Sequence, residues 1–327
     1  MNLDPKSTAF IFPGQGSQAV GMGKELAAAY PIARQTFEEA DSALGFSLSK
    51  LMWAGPADEL NATLNTQPAL YVHSVAALRV FSHLYPDPST GSGQAFEPAS
   101  VAGHSLGELS ALTAAGALPF AEGVRLVRTR GELMKRAGQI APGSMAAVLN
   151  LDIPALEKVC AEASTADEIV QVANDNCPGQ VVISGAKAAV ERASLGAKAA
   201  GAKRVLPLAV SIAAHSPLML SVQAEFEAAV NSAPITAARI PVISNVLAQP
   251  IRVEEQLRAD LTAQLTSRVR WTESVRFLLG NGIQTFVEVG SGNILIGLIR
   301  RIDASANGIA LGNPKDFEAL GASASQS

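Results

Sequence analysis

The tightest constraint on this chain is Gly103-His104-Ser105-Leu106-Gly107. A serine framed by glycines at G-x-S-x-G spacing fits a sharp turn from a buried strand into a helix. The glycines clear space that a Cβ would fill, and the serine Oγ is left exposed as a nucleophile. The flanks agree. Ala99-Ser100-Val101-Ala102 is a run of small residues suited to a buried strand, and residues 109–115 read as a helix with Gly116 placed to end it. A chance match in a chain with 27 glycines is the alternative, so the surrounding pattern has to carry the reading.

A chain of 327 residues suits one large domain with a lesser one. Hydrophobic residues make up 48% and aromatics only 5%, so the core must be built from Ala, Val, Leu and Ile. That composition fits an α/β protein with buried parallel strands. The net charge of −4 offers no global basic field for nucleic acid. Cys160 and Cys177 are too few for a disulfide framework or a zinc pattern, and read as packing residues in a reducing compartment. No basic-then-apolar leader opens the chain, and no apolar run reaches the ~18 residues of a membrane helix. The expectation is a cytoplasmic protein with no membrane contact.

Residues 8–12 form an apolar strand followed by Pro13-Gly14-Gln15-Gly16-Ser17-Gln18 and a helix over 23–30. Gly14-x-Gly16-x-x-Ala19 also fits a dinucleotide fingerprint. That reading needs a second strand ending in an acid about 20 residues later, and Glu38, Glu39 and Asp41 lie instead in a helical pattern. A glycine-rich strand end aiming backbone N–H groups at a developing anion fits better. Helices are expected over 57–64 and 68–84, then a Pro-, Gly- and Ser-rich surface loop over 86–98. The helix over 121–137 carries Arg125, Arg128, Arg130, Lys135 and Arg136, and spacing alone does not choose one to turn inward.

Residues 144–208 change character. Strands over 145–150, 169–174, 180–185 and 204–210 and helices over 154–164 and 187–201 give the order β-α-β-β-α-β, the pattern of a ferredoxin-like unit. We read this as an insert in the larger α/β domain, which then comprises residues 1–143 and 209–303. Residues 304–327 are small and polar and are expected to form a flexible tail.

A serine nucleophile needs a base. His104 adjoins Ser105 on the elbow, where neighbouring side chains diverge, and His73 and His83 belong to or border a helix. His215 follows a strand in the loop ending Ser216-Pro217, where open α/β folds deliver catalytic groups. His215 is therefore the candidate base. A satisfied loop histidine is the bland alternative.

Five motifs, Phe12-Pro13-Gly14-Gln15-Gly16-Ser17-Gln18, Gly103-His104-Ser105-Leu106-Gly107-Glu108, Asn176-Cys177-Pro178-Gly179-Gln180-Val181-Val182, His215-Ser216-Pro217-Leu218-Met219 and Glu288-Val289-Gly290, together resemble the malonyl-CoA:acyl carrier protein transacylases. The resemblance runs in order from about residue 9 to 302. It implies an α/β-hydrolase-like large domain with a ferredoxin-like insert. It implies Ser105 as nucleophile, His215 as base, and an oxyanion hole from the backbone N–H groups of Gln15 and Leu106. It singles out Arg130, in Arg130-Gly131-Glu132-Leu133-Met134, as the substrate-carboxylate arginine, with Met134 beside it. It implies malonyl-CoA and holo-acyl carrier protein as partners, and no metal or bound cofactor.

Two departures accompany it. The histidine-orienting carbonyl of the family falls, by the same resemblance, on Asn281 where a glutamine is usual. Ala214, before the histidine, is smaller than the phenylalanine of many malonyl-selective domains, so a methyl branch on the acyl group has more room. Lys187, Lys203, Arg204, Arg300 and Arg301 are candidates for docking an acidic carrier protein. A monomer is expected. A serine thioesterase on the same elbow, or the transacylase subunit of a malonate decarboxylase, remains an alternative. Arg130 favours a dicarboxylic half-ester over the uncharged chains of simple esterases.

Overall fold

The computed structural model describes residues 3–86 and 96–324. Among the described residues ten strands form two sheets: β1 Thr8–Phe12, β2 Ser100–Gly103, β3 Gly143–Leu149, β4 Val170–Cys177, β5 Gln180–Ala186, β6 Arg204–Pro207, β7 Val242–Ile243, β8 Pro250–Ile251, β9 Thr285–Val289 and β10 Asn307–Leu311. The larger sheet has the order β10-β9-β1-β2-β7-β8. It is parallel except for the β7–β8 edge. Every residue of β1 is buried, as a central parallel strand with helices on both faces requires.

The second sheet is antiparallel, ordered β4-β5-β3-β6, and drawn wholly from residues 143–207. Its helices Ile153–Ala163 and Lys187–Ala199 close a separate apolar core around Leu156, Val159, Val190 and Ile183. The protein is thus an α/β fold with a parallel-dominated sheet and a smaller α+β unit, as the sequence pattern implies.

The two helices expected over 57–64 and 68–84 are present as Ala57–Asn61 and Thr63–Leu84, the second starting before Pro68. Pro68 lies inside it and has no N–H to give the carbonyl of Leu64. Arg128 Nη1 donates to that carbonyl instead, at 3.1 Å. This bond ties the helix Phe120–Ile140 to its neighbour where Gly131 permits close approach.

The C-terminal segment departs from expectation. Residues 304–324 are not a flexible tail. Strand β10 extends the parallel sheet beside β9, and the helix Pro314–Ala324 buries Phe317 and Leu320. Phe317 meets Tyr30 edge-on, and its carbonyl accepts from the Tyr85 hydroxyl at 2.9 Å. Burying those two side chains outweighs the low-complexity composition around them. Part of the expected 86–98 loop, residues 87–95, lies outside the described residues, as do residues 325–327.

Candidate active site

Strand β2 delivers the chain to Ser105 and the helix Gly107–Ala114 carries it away. Ser105 has φ of 52°, a strained value for a residue with a side chain. The glycines make this turn possible. A Cβ on Gly103 would lie 1.9 Å from the Gly107 carbonyl carbon, and one on Gly107 would lie 2.1 Å from the Phe12 oxygen. Asn245 clamps the turn: its Oδ1 accepts the Ser105 N–H at 2.7 Å, and its Nδ2 donates to the Gly103 carbonyl at 2.7 Å.

Ser105 Oγ stands 2.8 Å from His215 Nε2. His215 Nδ1 is 2.8 Å from the carbonyl oxygen of Gln264. A carbonyl only accepts, so the Nδ1 proton is fixed there and Nε2 is the bare acceptor facing the serine. Burial, then the nearby Arg130 charge, push the imidazole down to about 3, so it is neutral at physiological pH. Gln264 ends the helix Glu254–Gln264, where last-turn carbonyls lack helical partners and the negative end of the dipole favours a transient imidazolium.

The orienting carbonyl is therefore not that of Asn281. Asn281 caps the helix Trp271–Gly280 at the surface, where its Nδ2 donates to the Phe277 carbonyl. None of the other histidines is hydrogen-bonded to Ser105 Oγ, although His104 lines the same cavity. His104 Nε2 faces Asn176 Oδ1 at 2.8 Å, His73 donates to the Gly312 carbonyl, and His83 is exposed.

Arg130 is 2% exposed. Its Nη1 donates to Gln67 Oε1 at 2.6 Å, and its Nη2 donates to Gln264 Oε1 at 2.7 Å and to Ser105 Oγ at 3.2 Å. Burial lowers it to about 10, which leaves it cationic at neutral pH. No carboxylate forms an ion pair with it among the described residues; both glutamines are neutral amides. Gln67 is in turn held by Thr63 Oγ1, which donates to Gln15 Oε1 at 3.1 Å.

These groups open into a cavity of about 220 Å³ between the two sheets. Gln15, Ser105, Leu106, Arg130, Met134, Ala214 and His215 all line it. Met145 and Val182 of the antiparallel sheet and Val210 and Ile212 of the following loop add an apolar wall. The backbone N–H groups of Gln15 and Leu106 donate to no acceptor among the described residues. A larger, more open groove of about 550 Å³ lies beside Cys160, but its Arg268 and Arg270 are already paired with Glu157 and Glu273.

The arrangement is a serine with a neutral imidazole acceptor, free backbone donors from the loop after β1 and from a helix N-terminus, and a buried cation without an anion. It is the equipment of acyl transfer through an ester on serine. The model of the acyl transferase domain family matches residues 9–308.

The chain belongs to that acyl transferase family.

Relatives of this acyl transferase are similar along nearly its full length. The malonyl CoA-acyl carrier protein transacylase of Escherichia coli K12 is 46% identical over 313 residues, covering 95% of this chain and 97% of the relative. An acyl carrier protein S-malonyltransferase structure from Vibrio cholerae superposes with a TM-score of 0.90 at 41% identity, covering 96% and 99% of the two chains. A malonyl-transacylase solved in complex with its type II polyketide acyl-carrier protein superposes at 0.88, also 41% identical, covering 96% and 98%.

Sequence reasoning missed Gln264, Gln67 and Asn245. Gln264 acts through a backbone oxygen that every residue possesses. Gln67 and Asn245 sit among other polar residues, Asn65 and Thr66 beside one and Ser244 beside the other, so nothing local singled them out.

Proposed function

We propose that this acyl transferase moves a malonyl group from malonyl-CoA to the phosphopantetheine thiol of acyl carrier protein, supplying extender units for fatty acid synthesis. The observation that carries this reading is Arg130: a buried guanidinium, held by two neutral amides and aimed at Ser105 Oγ, has room for a substrate carboxylate. A planar fork of donors suits that group bidentately.

Malonyl-CoA enters with its free carboxylate on Arg130, beside Met134 and Ala214. Ser105 Oγ attacks the thioester carbonyl as its proton passes to His215 Nε2. The N–H groups of Gln15 and Leu106 hold the tetrahedral oxyanion, each such donor being worth on the order of 3 kcal/mol. The C–S bond breaks, and the imidazolium returns the proton to the departing CoA thiolate. In the second half His215 takes the proton of the carrier thiol, whose sulfur attacks the malonyl ester. Ser105 leaves and regains its proton. One thioester is exchanged for another, so the reaction runs in both directions.

The carrier is proposed to dock at basic side chains. Arg204 and Gln180 both pair with Leu149 in the antiparallel sheet, and Arg301 donates to Gln180 Oε1 at 2.5 Å, so Lys203, Arg204 and Arg301 gather at one sheet end. All three are exposed.

The test follows radiolabelled malonyl-CoA with holo-carrier protein. The reading expects label on the carrier, and at low salt slower labelling with Lys203→Glu and Arg204→Glu. Release of free malonate at the same rate with or without carrier would favour a hydrolase instead.

A further inference from the structure

Behind the elbow lies a second pair of ionisable groups that the transfer chemistry leaves unused. Glu108, on the helix Gly107–Ala114, is 1% exposed, and Asp260, on the helix Glu254–Gln264, is 5% exposed. The two acids approach through adjacent residues, Glu108 accepting from Asn245 and Asp260 from Ser244. Two ionised carboxylates only accept, so neither can satisfy a bare oxygen of the other without a proton. The other positions are taken by donors. Glu108 Oε1 accepts the Asn245 N–H at 2.9 Å, Glu108 Oε2 accepts from Gln264 Nε2, and Asp260 Oδ1 accepts from the Ser244 hydroxyl. Asp260 Oδ2 is left buried with no hydrogen-bond partner.

We propose that Glu108 and Asp260 hold one proton between them and act together as a positioning pair for the active site. Glu108 carries the proton. Burial and the adjacent Asp260 push its carboxyl well above the usual range, a direction that agrees with the geometry. The neutral acid reaches both arms of the site. Through Asn245 it supports the clamp on the Ser105 elbow. Through Gln264 it supports the residue that holds Arg130 by its side chain and His215 by its carbonyl.

The proton also settles a charge balance. Arg130 feels Glu108, and an ionised Glu108 would be its built-in counter-ion. With Glu108 neutral, the guanidinium is left for the substrate. Around the pair stand Arg130 of the helix Phe120–Ile140, and His215 and His104, which burial holds neutral. The consequence for Arg130 rests on the transfer reaction proposed above; the proton does not.

The test is infrared difference spectroscopy on the full chain, at about pH 8.5, well above ordinary carboxyl values. Expected is the C=O stretch of a protonated carboxyl, shifted in D₂O, that Glu108→Gln removes. Glu288 and Asp175 are also raised, so the difference between wild type and variant is the readout. Asp260→Asn removes the neighbouring charge and should make the band titrate away at lower pH. A spectrum unchanged by either variant overturns the proposal.

Kinetics supply a second arm. Glu108→Ala should lower kcat/KM for malonyl-CoA about 10- to 100-fold, and Glu108→Gln, which supplies an N–H in place of the shared proton but loses one acceptor, should lower it measurably less. Asp260→Asn should raise KM about tenfold between about pH 6 and 9 with a smaller change in kcat, as ionised Glu108 captures Arg130. A flat KM overturns the positioning role. Failure of the transfer reading would show as wild type that acylates nothing, and the infrared arm decides on the proton in either case.

Discussion

The backbone oxygen of Gln264 lies 2.8 Å from His215 Nδ1, while the side chain of the same residue accepts from Arg130 at 2.7 Å. One residue at a helix terminus therefore sets both the tautomer of His215 and the direction of the Arg130 cation. The two roles separate by mutation.

Gln264→Ala keeps the carbonyl and removes the amide. His215 should keep its tautomer, while Arg130 loses one partner and Glu108 loses a donor. Hydrogen bonds to charged groups are worth about 1.5–3 kcal/mol, so kcat/KM for malonyl-CoA should fall about 10- to 100-fold, mostly through KM. Steady-state kinetics check this, and a fall confined to kcat would contradict it.

Arg130→Lys keeps the charge and loses the fork. Lysine offers a point charge where guanidinium offers two parallel donors. Malonyl-CoA turnover should drop by about 10²-fold, and the preference for malonyl- over acetyl-CoA should shrink with it, since truncating one partner of a buried charge pair costs about 2–5 kcal/mol. Parallel rates on the two thioesters measure the ratio.

Stability should depend on pH through two groups of opposite sign. His215 is lowered from 6.5 to about 3, so the unfolded chain binds the extra proton first as pH falls. Its contribution is complete above 6.5 and is lost between 6.5 and about 3. Glu288 caps the helix Ile294–Ile302 through the Leu295 and Ile296 N–H groups, and burial raises it from 4.5 to about 7. Its contribution is full below 4.5, falls as pH rises from 4.5 to about 7, and is flat above. Melting temperatures of wild type and Glu288→Gln should diverge across that second window, with the variant gaining relative to wild type as pH rises. Parallel curves would contradict the raised carboxyl.

Cutting the chain after Ser305 removes β10 and the helix Pro314–Ala324. It exposes the β9 edge and the faces that Phe317 and Leu320 cover. Burial of side chains of this size contributes about 1.5–3 kcal/mol each, so the truncated chain should melt several degrees lower or fail to accumulate in folded form. Calorimetry against the full chain measures the difference.

What the sequence made legible follows the nature of each signal. The elbow was readable because Gly103 and Gly107 are required by steric contact, and such a need marks the residue type. The antiparallel unit was readable because its strands and helices alternate at clear periods. The last strand was not: Asn307-Gly308-Ile309-Ala310-Leu311 is short, and its stability comes from pairing with β9 rather than from its own composition. Placing the orienting carbonyl on Asn281 failed for a related reason. The bond uses main chain, so side-chain identity at a neighbouring loop carried no information about it. The pair formed by Glu108 and Asp260 is likewise invisible along the chain, since residues 152 positions apart in numbering meet only in the fold.

The central claim is a malonyl ester on Ser105 destined for a carrier thiol. Intact-mass spectrometry of the protein mixed with malonyl-CoA, beside Ser105→Ala, tests it most directly. Wild type should carry one malonyl adduct, Ser105→Ala none, and the adduct should pass to holo-carrier protein with matching mass gain on the carrier. An adduct that persists in Ser105→Ala, or one that decays to free malonate regardless of carrier, would contradict it.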